Sequence, residues 1–130
     1  MAALLWALVA LVLIPYLCRL PVISASQQQG GYDNHHPRMQ QATLTGRGAR
    51  ANAAHYNSFE ALQLYLAALL ACVASGNTDA LMGQLAWGYV ICRLAFVLLY
   101  LADKALARSI VWVIGMGCVL TMLIRAALSV

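Results

Sequence analysis

Four apolar runs, each long enough to cross a bilayer, leave this chain few folds other than a bundle of membrane helices. Met1 to Leu17 is apolar apart from Pro15, and Val22-Ile23 carry the run past Arg19. The second run goes from Arg50 to Ser75, the third from Ala80 to Leu101 and the fourth from Ala107 to Leu128. A helix of about 20 such residues traverses the roughly 30 Å hydrocarbon core. Only 9% of the residues are charged and 63% are hydrophobic, where a soluble domain carries about 25% charged residues. The mean hydropathy is +0.76. The expected fold is therefore all-α: one integral membrane domain over residues 1–130, a four-helix transmembrane bundle with spans at about 2–23, 50–75, 80–101 and 107–128.

The connections fix the order of the spans. Residues 24–48, SASQQQGGYDNHHPRMQQATLTGRG, show no apolar period and read as one extended loop. His35 and His36 lack partners at ligand spacing and read as solvated, so no metal site is expected. The other two connections are short, which makes their flanking spans antiparallel. Asn77, Thr78 or Asp79 can cap the third helix, and Asp103-Lys104 mark its polar end. Pro15 and Pro21 suggest a bend or an end in the first helix. A cleaved leader would need a basic stretch ahead of the apolar run, and no Lys or Arg precedes Arg19, so this segment reads as a retained span.

Loop charge sets an orientation. Arg38 and Arg47, flanked by Arg19 and Arg50, fall in the first loop, and Lys104, flanked by Arg108, in the third. By the positive-inside rule these loops are cytoplasmic and both termini lie outside, with Arg125 as a counter-signal. The basic residues are scattered without interleaved aromatics, which argues against nucleic acid as a partner. Cys18, Cys72, Cys92 and Cys118 each sit alone in an apolar run and read as small buried hydrophobes.

Polar stripes inside the spans mark the candidate site. Arg50, Asn57 and Glu60 share one side of the second helix, since Arg50 and Asn57 differ by roughly 20° at about 100° per residue. Tyr89, Arg93, Phe96 and Tyr100 form a second stripe in the third span, and Arg108-Ser109 open the fourth, with Trp112 one turn on. Ionisable groups at such positions usually face a bundle interior or a cavity. The topology places Arg50, Asn57, Tyr100 and Arg108 at similar depth, so they are expected to converge on one cytoplasmic-side cavity, with Glu60 answering Arg50 or Arg93. Several cations with one carboxylate and one amide suit a compact peptide bearing two carboxylates and an amine. An arginine beside a thiol would stabilise its thiolate, and the apolar spans would admit a lipophilic second substrate. On the same spacing, Arg50 and Arg108 could instead snorkel at helix ends while Glu60 ties helices together.

At these residues the chain resembles the MAPEG family, membrane-associated proteins of eicosanoid and glutathione metabolism. The resemblance rests on RANAAHYNSFE from Arg50 to Glu60, RLAFVLLY from Arg93 to Tyr100, and Arg108-Ser109. It covers essentially the whole chain and is greatest to the small bacterial branch, which implies an inner-membrane location. It implies a homotrimer with glutathione as cosubstrate, bound between subunits on the cytoplasmic side. Arg50, Asn57, Glu60, Arg93, Tyr100 and Ser109 would line that site, and Arg108 would be the catalytic residue that activates the thiol. The reactions implied are conjugation, peroxide reduction and isomerisation of lipophilic substrates.

The chain departs from the family pattern in four places. Ala53 stands where an arginine is common, Gln63 where proline is, Phe96 where a polar His or Tyr is, and Trp112 where some members have Tyr. Two function classes follow: a glutathione transferase or peroxidase, or a non-catalytic membrane protein, a complex subunit or lipid binder, that keeps the same bundle. A transporter is disfavoured, because no internal repeat or broken span is visible.

Overall fold

The computed structural model describes residues 1–130 and contains five helices and no strand. They are α1 (Ala2–Gln28), α2 (Pro37–Ala42), α3 (Gly46–Ala74), α4 (Ala80–Leu101) and α5 (Ala105–Ala127). The four long ones are apolar enough to span a membrane. A membrane core offers backbone groups no water, so each span has to satisfy its own amides as a helix.

The helices meet along seams of small residues. In α1 the buried Leu4, Ala7, Leu11, Ile14, Cys18 and Val22 recur at steps of three or four, as do Ala51, Ala54, Ser58, Ala61, Tyr65, Ala68 and Cys72 in α3. That alternation gives the left-handed packing common among membrane helices, and small side chains let backbones approach closely. Helix α1 packs on α3 and α4, and α5 packs on α4 and α3, while α1 and α5 do not touch. Buried hydroxyls and rings are tied to backbone: Tyr65 donates to the Leu4 carbonyl at 2.7 Å, Tyr89 to that of Ala61 at 3.0 Å, and His55 Nδ1 bonds the Pro15 carbonyl at 2.7 Å. Large hydrophobes such as Leu13, Leu70, Ile91 and Leu98 point outward, as lipid requires.

The first connection differs from the expected single loop over 24–48. Helix α1 runs through both prolines to Gln28, because Ser24 to Gln28 contains no breaker and the first left-handed residues are Gly30 and Gly31, at φ +104° and +114°. Pro37 then opens α2 at a position where its missing N–H costs nothing. Six residues are too few to show a helical period, which is why the sequence pattern is silent there. Gln40 clasps the turn, donating to the Gly31 carbonyl at 2.6 Å and accepting from the Asp33 amide at 3.0 Å. Asp33 Oδ1 in turn accepts the amides of His35 and His36 at 2.8 and 3.0 Å.

The short turns are built locally. The Asp79 side chain caps α4 by accepting from the Met82 amide at 2.9 Å and pairs with Arg125 at 2.9 Å, which accounts for an arginine at that end of α5. At the opposite end of the bundle, Asp103 sits at φ +60°, and the Lys104 and Asp103 amides bond the carbonyls of Leu99 and Tyr100 at 2.9 and 3.2 Å. This paired closure reverses the chain within three residues.

Two consequences are measurable. A Cβ at Gly48 would lie 2.6 Å from the Ala25 Cβ, which is fixed to the backbone of α1. Gly48→Ala is therefore expected to destabilise by about 1–3 kcal/mol through overpacking, more than its helix-propensity gain of about 1 kcal/mol. Gly117→Ala, with nothing within 4 Å, should be neutral or stabilising in the same thermal unfolding assay in detergent. Equal behaviour of the two variants would contradict the close approach of α1 and α3.

The second concerns pH. The His36 amide, helped by that of His35, holds the Asp33 carboxyl below the usual carboxylate range. A depressed folded-state pKa favours the ordered turn above the unfolded value of about 4, and that contribution is lost as pH falls through the lower folded value. Amide-exchange protection at His35 and His36 should be constant from about pH 7 to 5 and decline below about 4. Asp33→Asn keeps the acceptor and should abolish that pH dependence.

Candidate functional site

The site begins with a charge placed where the membrane makes it expensive. Arg93, on the inner face of α4, is only 3% exposed. Its Nη2 donates to Asn57 Oδ1 on α3 at 2.8 Å and reaches the Asn57 carbonyl at 3.5 Å. Asn57 Nδ2 donates onward to Glu60 Oε2 at 2.9 Å. Asn57 and Glu60 are three residues apart and face each other on the helix surface, so this bond is local. Glu60 itself is exposed at the flank of the bundle.

Aromatic rings extend the line towards α5. The Arg93 guanidinium lies 4.2 Å above the Phe96 ring, Phe96 meets Tyr100 edge to face at 5.6 Å, and the Arg108 guanidinium sits 4.1 Å above the Tyr100 ring. Cations over ring faces gain about 0.5–2 kcal/mol, more as they are desolvated. Glu60, Asn57, Arg93, Phe96, Tyr100 and Arg108 thus form one connected ladder across α3, α4 and the start of α5. Phe96 serves as the rung between Arg93 and Tyr100.

Between α3, α4 and α5 lies a cavity of about 130 Å³ lined by Asn57, Glu60, Ala61, Leu64, Tyr89, Arg93, Trp112 and Met116. Its polar wall is the Asn57–Glu60–Arg93 relay, and Leu64, Trp112 and Met116 make it apolar opposite. The first half of α5 carries no buried residue; Gly115 is the first. The Arg93 Nε is buried without a partner, so the guanidinium keeps a donor in reserve.

The structure places the other sequence-derived residues apart from this cavity. Arg50 does not meet Glu60; it pairs at 3.4 Å with Asp103. Glu60 makes no ion pair with either arginine, because Asn57 stands between it and Arg93. Arg50, Tyr100 and Arg108 do not line the cavity, so the expected convergence of Arg50, Asn57, Tyr100 and Arg108 is replaced by the ladder. Ser109 is exposed and its Oγ donates back to the Ala105 carbonyl at 3.1 Å. Tyr89, part of the expected stripe of the third span, lines the cavity, whereas Asp103 as a partner of Arg50 and Met116 as part of the wall were not candidates from the sequence.

The MAPEG family model matches residues 3–128, a range that takes in the ladder. The chain belongs to the MAPEG family. No curated protein and no solved structure matches it. Family membership makes this an integral membrane protein of a group tied to glutathione and eicosanoid metabolism.

For this MAPEG protein, the relay separates structural from ligand-facing roles. Asn57→Ala removes the acceptor of a buried guanidinium and should destabilise by about 1–3 kcal/mol. Glu60→Gln, at an exposed position, should stay within about 0.5 kcal/mol of the parent. Thermal unfolding in detergent checks both, and a Glu60→Gln loss as large as that of Asn57→Ala would make Glu60 structural.

Proposed function

We propose that this protein binds glutathione or a related thiol peptide and directs its sulfur to a lipophilic electrophile or a lipid peroxide. The observation that carries this reading is the relay of Glu60, Asn57 and Arg93: a carboxylate, an amide and a guanidinium on the wall of one cavity, beside an apolar side. Such a set recognises a peptide that carries both an ammonium and carboxylates, Glu60 taking the cation and Arg93 an anion. The cavity of about 130 Å³ is well below the roughly 300–1,000 Å³ of small-molecule sites. One copy of the chain therefore offers part of a site, which favours a homotrimer that completes it between subunits.

Arg108 would hold the thiolate, because a guanidinium lowers the cost of removing the thiol proton. Its place over the Tyr100 ring holds the cation at the start of α5. Bound glutathione supplies the nucleophilic sulfur. Conjugation then forms a carbon–sulfur bond as the thiol proton departs, whereas peroxide reduction consumes two thiols and yields a disulfide, an alcohol and water. Arg50, tied to Asp103, and Ser109, turned to Ala105, would contribute at the rim of the site. The loop-bearing end would be cytoplasmic and both termini outside, in a bacterial inner membrane.

A non-catalytic role is favoured by two details: Ala53 supplies no cation, and Arg50 is already paired with Asp103. Against it, the relay lines an open cavity instead of closing into buried ion pairs.

Glutathione titration of the purified protein, by calorimetry, distinguishes these readings. Saturable binding is expected, weakened at least tenfold by Glu60→Gln, and a thiolate absorbance should appear that Arg108→Ala removes. No binding at millimolar glutathione would shift the function to the non-catalytic class.

A further inference from the structure

Met116 supplies the only sulfur on the wall of the cavity beside the relay, since no cysteine lines it. It stands in α5 between Gly115 and Gly117, on the apolar side of that cavity. We propose that Met116 is a modification site: a lipophilic hydroperoxide entering the cavity oxidises its thioether to the sulfoxide, which regulates the site. The inference rests on the reading of this cavity as the place where a lipid peroxide is met.

Placement carries the first part of the argument. Gly115 lets α5 approach α4, for a Cβ there would lie 3.1 Å from the Cys92 Cβ and 3.3 Å from the Tyr89 ring. The next residue, Met116, then shares the cavity wall with Tyr89 and Arg93. The cavity of about 130 Å³ has room for about four waters at roughly 30 Å³ each. A peroxide group held there by the Arg93 guanidinium has the thioether among its nearest neighbours. No free surface is needed, because the oxidant arrives as the substrate. A neighbouring subunit that completes the site only narrows its approach.

Chemistry carries the second part. The thioether is soft and polarizable, and its sulfur attacks the outer oxygen of the hydroperoxide. An S–O bond forms as the O–O bond breaks, and the sulfur gives up two electrons. The departing alkoxide takes the hydroperoxide proton and leaves as an alcohol, steadied by a charge-assisted hydrogen bond from Arg93. The sulfoxide is polar where the thioether was apolar, and reductases reverse it. Its oxygen is an acceptor set opposite a guanidinium, so it competes with an anionic ligand and spoils the apolar side for a lipophilic one.

The other four methionines are internal controls. Met82 and Met122 are fully buried, while Met39 and Met1 are 69% and 48% exposed, and none of the four lines the cavity. Oxidation governed by solvent exposure favours Met39 and Met1, whereas oxidation governed by the cavity favours Met116.

The test is peptide mass mapping of the purified full chain in detergent, without glutathione, after treatment with a fatty-acid hydroperoxide or with hydrogen peroxide. With the fatty-acid hydroperoxide, Met116 should be oxidised at least about fivefold faster than Met39, and with hydrogen peroxide the order should reverse. Leu64→Trp adds bulk at an exposed position of the same wall. It should slow Met116 by about fivefold and leave Met39 unchanged, which separates entry through the cavity from partitioning into the micelle. Met116 reacting no faster than Met122, or unprotected in Leu64→Trp, would overturn the proposal. Oxidised parent protein should also bind glutathione roughly fivefold more weakly than before treatment, whereas Met116→Leu, of similar volume, should bind it equally before and after. An equal loss in Met116→Leu would overturn regulation through Met116. A parent that never binds glutathione removes the thiol reading, and the oxidation map alone then decides this proposal.

Discussion

The hydrogen bond from Arg93 to Asn57 is the constraint around which this bundle is arranged. A guanidinium at membrane depth costs several kcal/mol if it faces lipid, so α4 has to turn that face inward, and α3 has to meet it with an acceptor. The 2.8 Å bond satisfies both helices at once. It also fixes their rotation: with Asn57 committed to Arg93, Ala54, Ser58 and Ala61 fall on the buried seam of α3 and Glu60 is carried to the flank. A polar demand in one span thereby decides which residues of its neighbour are packing and which are free to meet a ligand.

The rest of the ladder follows from the same demand. One amide oxygen cannot use all five donors of an arginine. Phe96 covers one face of the cation, and Nε stays without a partner. In water that orphan would be trivial, whereas in a low dielectric it adds to the cost of burying the cation. The Phe96 ring thereby holds the cation by its face and offers no hydrogen-bonding group of its own.

The four spans and both polar stripes were legible because they depend on local quantities: run length, residue type and a period of 3.6. Asn57, Glu60 and Arg93 could be placed on inward or flanking faces from spacing alone. What spacing could not give was which polar group bonds which. Glu60 looked like the partner of an arginine because it is the only acid in that span, yet Asn57, three residues away, captures it locally before any arginine on another helix arrives. Arg50 looked like part of the stripe, but Asp103, held in a left-handed turn after α4, lies nearer. That turn depends on a backbone closure between Leu99 and Lys104 that no hydrophobic pattern encodes. Helix α2 escaped notice for a similar reason, since six residues hold fewer than two turns.

The distribution of charge differs between the two sides of α3. Every carboxylate is committed to a turn, a cap or the relay, so cations left over at the loop-bearing end have only external anions to meet. On one side of α3 Glu60 answers Arg93 through Asn57, while Arg108 is held over the Tyr100 ring with no carboxylate. On the other side Arg19 and Arg38 line a cleft with the aromatic rings of Tyr16 and Phe59. Helix α3 keeps the two apart: its Asn57 face is polar and its His55–Phe59 face is aromatic, with His55 anchored to the Pro15 carbonyl.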